Sequence, residues 1–129
     1  SSIKTIIIGN GVTSIGHYAF YNCTGLTRVT IPDSVTSIGY YAFEDCTELT
    51  SITIPDSVTS IGEYAFLSCK SLTTIYVGTE SDTVCTLSSA NAFGICTNLT
   101  NIYVPANLVD SYKSATNWSN YADKIKATP

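Results

Sequence analysis

Five cysteines, one histidine and ten carboxylates are the side chains of this sequence that could bind a metal, attack a substrate or move a proton. Their spacing argues against all three. Cys23, Cys46 and Cys69 are 23 residues apart, and Cys96 follows at 27. Zinc needs four ligands converging on one point, and a linear column does not supply that. His17 shares its phase with Tyr40 and Glu63 and has no second imidazole to join it. A secreted chain of this size would be expected to form disulfides, yet the count is odd and the spacing follows the repeat. The column cysteines are therefore expected to be buried free thiols, small hydrophobes beside phenylalanine. Cys85 lies off the column and is the thiol expected to be reactive or paired. Asp33 and Asp56 each follow proline, with Asn10 in the same phase; short oxygen-bearing side chains there serve turns. Glu44, Asp45 and Glu48 fall on one loop and read as a solvated face. No carboxylate pair sits in a motif for acid–base work, and no nucleophile elbow or phosphate loop occurs. The expectation is a non-enzyme with neither metal nor cofactor.

What places these residues is a period of 23. Phe20, Phe43 and Phe66 keep it, as do Leu26, Leu49 and Leu72, and Ile15, Ile38 and Ile61. A further copy carries four extra residues and ends in Phe93, Cys96, Leu99, Ile102 and Val104. Repeats of this length are too small to bury their own apolar side chains, so neighbours stack and share one core. Within a copy, Leu49-x-x-Ile52-x-Ile54 alternates with period 2, the mark of a half-buried strand. Pro55 ends it, because proline cannot donate to a ladder. Asp56-Ser57 turns the chain, Val58 and Ile61 point inward, and Gly62 suits a tight bend.

These residues resemble a known family. Leu-x-x-[Ile/Val]-x-Ile is the strand core of leucine-rich repeats. The full unit I-P-x-S-V-T-x-I-G-x-x-A-F-x-x-C-x-x-L is similar to the BspA-like (Treponema pallidum type) leucine-rich repeat of bacterial surface proteins, over residues 3 to about 105. The fold expected is an α/β-type repeat solenoid with one parallel strand per copy. Residues 1–104 would form it, from a partial first copy, three regular copies and one with an insertion. Residues 105–129 would form a small helical C-terminal cap.

Composition narrows the partners. The chain has 129 residues, 44% hydrophobic and only 12% charged, with a net charge of −4. Its six basic residues are scattered, so nucleic acid is not expected. No run of 18 apolar residues occurs, so no segment is expected to span a membrane. Ser1-Ser2-Ile3-Lys4 begins in mid-copy, which leads us to expect a fragment. Further copies, or a second molecule, would then meet this open N-terminal edge.

In the fourth copy Thr79–Thr83 replaces the Asp-Ser turn, and Val84, Cys85 and Leu87 replace Val58 and Ile61. This irregular loop is a candidate for binding, although terminal copies are commonly atypical. From Pro105 the pattern reads as a helix holding Leu108, Val109, Tyr112 and Ala115. Thr116-Asn117-Trp118 breaks it. Ser119 would cap a second short helix holding Tyr121, Ala122 and Ile125. Trp118 reads as a wedge in this cap, with sugar stacking as the alternative.

The polar strand positions form columns on the outer face. One is Thr5, Arg28, Ser51, Thr74 and Asn101; the other is Ile7, Thr30, Thr53, Tyr76 and Tyr103. The candidate binding residues are Arg28, Ser51, Thr53, Thr74, Tyr76, Asn101 and Tyr103, because solenoids commonly bind on an exposed sheet face and tyrosine is frequent at hot spots. A further column, Tyr18, Tyr41 and Tyr64, is expected to pack along the loops as scaffold. The resemblance implies an adhesion or protein-interaction module at the cell surface or secreted, with a host matrix or cell-surface protein as ligand. A glycan bound by Tyr76, Tyr103 and the fourth-copy loop, or a passive spacer, are the alternatives.

Overall fold

Every 23 residues the chain returns to the same place one rung further on. The computed structural model describes residues 3–78 and 80–129. The long strands are β1 (Thr5–Ile7), β3 (Arg28–Thr30), β5 (Ser51–Ile54), β7 (Thr74–Val77) and β9 (Asn101–Val104). Between them lie two-residue strands that the sequence pattern did not announce: β2 (Ser14–Ile15), β4 (Ser37–Ile38), β6 (Ser60–Ile61) and β8 (Thr86–Leu87). Both sets are parallel. Ile52 pairs with Ile75 and Ile75 with Ile102, while Ile15, Ile38, Ile61 and Leu87 run along the second ladder. The inward residues Val58 and Ile61 are thus the buried side of a second sheet. Gly62 marks where the rungs touch, since a Cβ there would lie 2.6 Å from the Tyr40 backbone nitrogen.

The core lies between the two sheets and the turns that close each rung. Phe20, Phe43, Phe66 and Phe93 stack along it with centroids 5.2, 5.2 and 5.6 Å apart. Leu26, Leu49, Leu72 and Leu99 form a second buried row, and Cys46, Cys69 and Cys96 a third. A buried side chain of leucine or phenylalanine size contributes about 1.5–3 kcal/mol, so the rows supply the cohesion that no single copy has. The turns have their own ladder, in which Tyr41, Phe43 and Asp45 N–H donate to Glu63, Ala65 and Leu67 carbonyls. Tyr18, Tyr41 and Tyr64 hold left-handed φ of 59°, 56° and 56°. That conformation costs a non-glycine residue about 1–2 kcal/mol. Their rings stack at 4.9 Å spacing, which offsets the strain.

The C-terminal segment closes the last rung. Ala106–Leu108 is a 3-10 turn, α1 spans Val109–Ser114, and Trp118–Lys124 is 3-10 with a kink at Tyr121. The expected second helix begins after Asn117, at φ 69°, and not with Ser119 as cap. Ile125 belongs to a strand, β10 (Ile125–Ala127), which pairs with β9. Adding a strand covers an edge whose N–H and C=O groups would otherwise face water. The second sheet is closed by side chains instead: Asn117 Nδ2 donates to Leu87 O at 2.7 Å, and Tyr121 Oη donates to Ala90 O. Tyr112 and Trp118 are fully buried. Trp118 Nε1 donates to Cys85 O at 2.7 Å, and Cys85 N–H donates to Tyr112 Oη at 2.9 Å. Trp118 is a wedge, with no ring face left for a sugar.

Candidate functional site

Alternation along each long strand sends one set of side chains inward and the other to solvent. Arg28, Ser51 and Thr53 are exposed; Thr74, Tyr76, Asn101 and Tyr103 are half-buried by their neighbours. Register brings them into columns. Ser51 lies opposite Thr74 and Thr74 opposite Asn101; Thr53 lies opposite Tyr76 and Tyr76 opposite Tyr103. The Tyr76 and Tyr103 rings stack with centroids 5.3 Å apart.

β10 adds a residue to this face that the sequence reading missed. Lys126 stands opposite Tyr103, and its Nζ donates to Asn101 Oδ1 at 2.6 Å and Thr100 O at 3.3 Å. No repeat phase points to it, because the period ends at Val104; only the Ile125-Lys126-Ala127 alternation carries a signal. The face therefore has Arg28 toward one end and Lys126 at the other, and none of the ten acidic residues stands on a strand.

The sheet is not continuous beneath these columns. β1 pairs with β3, and β5 with β7, β9 and β10, but no ladder joins β3 to β5 among the described residues. The second sheet and the turn ladder run unbroken through the same rungs. The interruption opens a groove of about 400 Å³ lined by Thr27–Ile31 and Thr50–Thr53. Arg28, Ser51 and Thr53 stand on its rim. Arg28 and Tyr103 consequently lie on two separately bonded parts of one face.

Other candidate chemistry is absorbed by the scaffold. Cys46, Cys69 and Cys96 donate through Sγ to the carbonyls of Phe20, Phe43 and Phe66, at 3.3, 3.1 and 3.1 Å. Hydrogen bonding with Cys46 and Cys96, together with burial, holds the Cys69 thiol far above its usual range. Cys85, expected to be reactive or paired, is a buried free thiol whose burial raises its pKa to about 12. A thiol so rarely ionised is a poor nucleophile. Thr79, at the start of the inserted loop, lies outside the described residues. Beyond it Glu80 N–H donates to Asp56 Oδ1, and Ser81 Oγ bonds Thr83, so the loop is tied back on itself. Among the described residues no cluster of three or more histidine, cysteine or acidic side chains is placed to hold a metal ion.

Six copies of the BspA-type leucine-rich repeat region match residues 1–122. Among solved structures, a leucine-rich repeat protein from Bacteroides ovatus is 32% identical with a TM-score of 0.75, over 98% of this chain and 30% of that one. The T. pallidum leucine-rich repeat protein is 24% identical with a TM-score of 0.63, over 80% of this chain and 59% of that one, and shows the same fold. This chain therefore spans less than two thirds of the length of either. No curated protein matches it.

Proposed function

Because the chain belongs to the BspA-type leucine-rich repeat family of bacterial surface proteins, we propose that it is a non-enzymatic protein-binding module, at the cell surface or secreted, that engages its partner through the exposed face of the long-strand sheet. The observation carrying this reading is the distribution of charge. A chain of net charge −4 places none of its ten carboxylates on a strand, while the long-strand sheet carries Arg28, Lys126 and paired tyrosines among hydroxyl and amide side chains. The partner is then a host matrix or cell-surface protein offering an acidic rim around an apolar centre. Tyr76 and Tyr103 supply rigid area at low entropy cost, and the rung-by-rung backbone needs little reordering on binding.

The test is surface plasmon resonance against a panel of immobilised matrix proteins. Alanine at Tyr76 or Tyr103 should weaken binding about tenfold or more. Alanine at Arg28 should mainly slow association and flatten its salt dependence. If all three variants bind every responding protein as the parent does, the face is a passive spacer.

A further inference from the structure

The second sheet carries a different groove, on a side of the solenoid away from the proposed recognition face. It has a volume of about 630 Å³ and runs past His17, Tyr40, Glu63 and Ser88. Tyr40 is its central feature. This side chain is 42% exposed, yet it is fixed. His17 stacks on one face with centroids 3.5 Å apart and planes 10° apart. Tyr18 and Tyr41 abut it edge-on at 5.7 and 6.0 Å. His17 is anchored in turn, because its Nδ1 accepts the Tyr40 backbone N–H at 3.0 Å. The next residue in the His17–Tyr40 column is Glu63, so no ring covers the other face of Tyr40.

The groove beside that face is lined by polar groups, most of them hydroxyls. Ser37 and Ser60 stand opposite each other on β4 and β6 and line the groove, and Ser88, which follows Leu87 as Gly62 follows Ile61, lines it one rung further on. Their hydroxyls, each a donor and an acceptor, have no hydrogen-bond partner among the described residues. Glu63 adds a carboxylate one rung beyond the ring. We propose that this groove is a binding site for a neutral oligosaccharide, with one sugar ring stacked on Tyr40 and its hydroxyls bonded by Ser37, Ser60 and Glu63. A sugar presents an apolar ring face beside a rim of hydroxyls, which is the complement of a held aromatic face beside a row of serines. A peptide would leave the serine row underused, and an acidic sugar would face the Glu63 carboxylate.

The proposal is independent of the protein-binding reading, because it uses no residue of the long-strand face. Saturation-transfer NMR and calorimetry with cellotetraose, chitotetraose and a sialylated trisaccharide test it. At least one neutral tetrasaccharide should bind, with its ring protons saturated from tyrosine. Tyr40→Ala should weaken it at least tenfold, Tyr40→Phe should retain most of the affinity, and Glu63→Gln should weaken it severalfold, all with unchanged circular dichroism. Three results would each overturn the assignment. One is no binding of either neutral probe. Another is binding that Tyr40→Ala and Glu63→Gln leave intact. The third is a preference for the sialylated probe.

Discussion

The sulfur of Cys69 lies 3.1 Å from the carbonyl oxygen of Phe43, one rung earlier. The same bond recurs at Cys46 and Cys96, so the column cysteines bind one rung to the next through their polar hydrogens as well as filling space. Cys69→Ala removes a weak donor and leaves a small void, and should cost roughly 1–2 kcal/mol. Cys23 is only half-buried at the open end, and Cys23→Ala should cost far less. Urea denaturation of the two variants checks this; equal losses would show that the thiols act as filler alone.

Alkali should unfold the protein from the capped end. Burial raises Cys85 from 9.0 to about 12 and Tyr112 from 10.0 to about 12. Both groups are neutral when protonated, so the fold favours the protonated form. Their contribution is complete below the unfolded-state values and is lost as pH rises through the window from about 9 to 12. Within it each group removes up to about 1.4 kcal/mol per pH unit. Chemical denaturation should show stability level to about pH 9 and falling beyond it, with a shallower fall in Tyr112→Phe. Alkylation at pH 8 should spare Cys85 until denaturant is added.

The repeat made the rungs legible before any coordinates, because a 23-residue step with Phe, Cys, Leu and Ile in fixed phase has one arrangement that buries all four. The exposed columns followed from alternation at Ile52 and Ile54. The second ladder did not, because two residues such as Ser60–Ile61 are too short to show a period. β10 lay beyond the last copy, so Lys126 could not be placed beside Tyr103. The opening between β3 and β5 left no trace either: Arg28–Thr30 and Ser51–Ile54 read as ordinary neighbours. The Tyr40 groove was hidden for a related reason. Its ring depends on His17 from the rung before and on Glu63, a non-aromatic residue, in the rung after, and both occupy a slot that varies between copies.

The two buried aromatic side chains of the cap converge on the backbone of a single residue. Cys85 N–H donates to Tyr112 and Cys85 O accepts from Trp118. Tyr112→Phe and Trp118→Phe each leave a buried backbone group unpaired, which costs about 1–3 kcal/mol. Tyr112→Phe should also speed exchange of the Cys85 amide while leaving the Ile52 and Ile75 amides protected. Thermal melts with hydrogen exchange would show this. A uniform loss of protection across the rungs would mean that the cap and the solenoid unfold as one unit.

The N-terminal edge of the described residues should associate. β1 and β2 are the N-terminal edges of their sheets, Ile7 is 76% exposed and Val12 is 39% exposed. At the C-terminal end the equivalent surface is covered by β10, Tyr112 and Trp118. Edge strands with exposed apolar side chains pair with other chains unless charge or proline blocks them, and neither interrupts Thr5–Ile7. Multi-angle light scattering should show apparent mass rising with concentration. Ile7→Lys, which places a charge on the edge without touching the core rows, should return the protein to a monomer of 13.8 kDa. A parent protein that stays monomeric at millimolar concentration would show that the solvated edge is tolerated and that Ile7 takes no part in assembly.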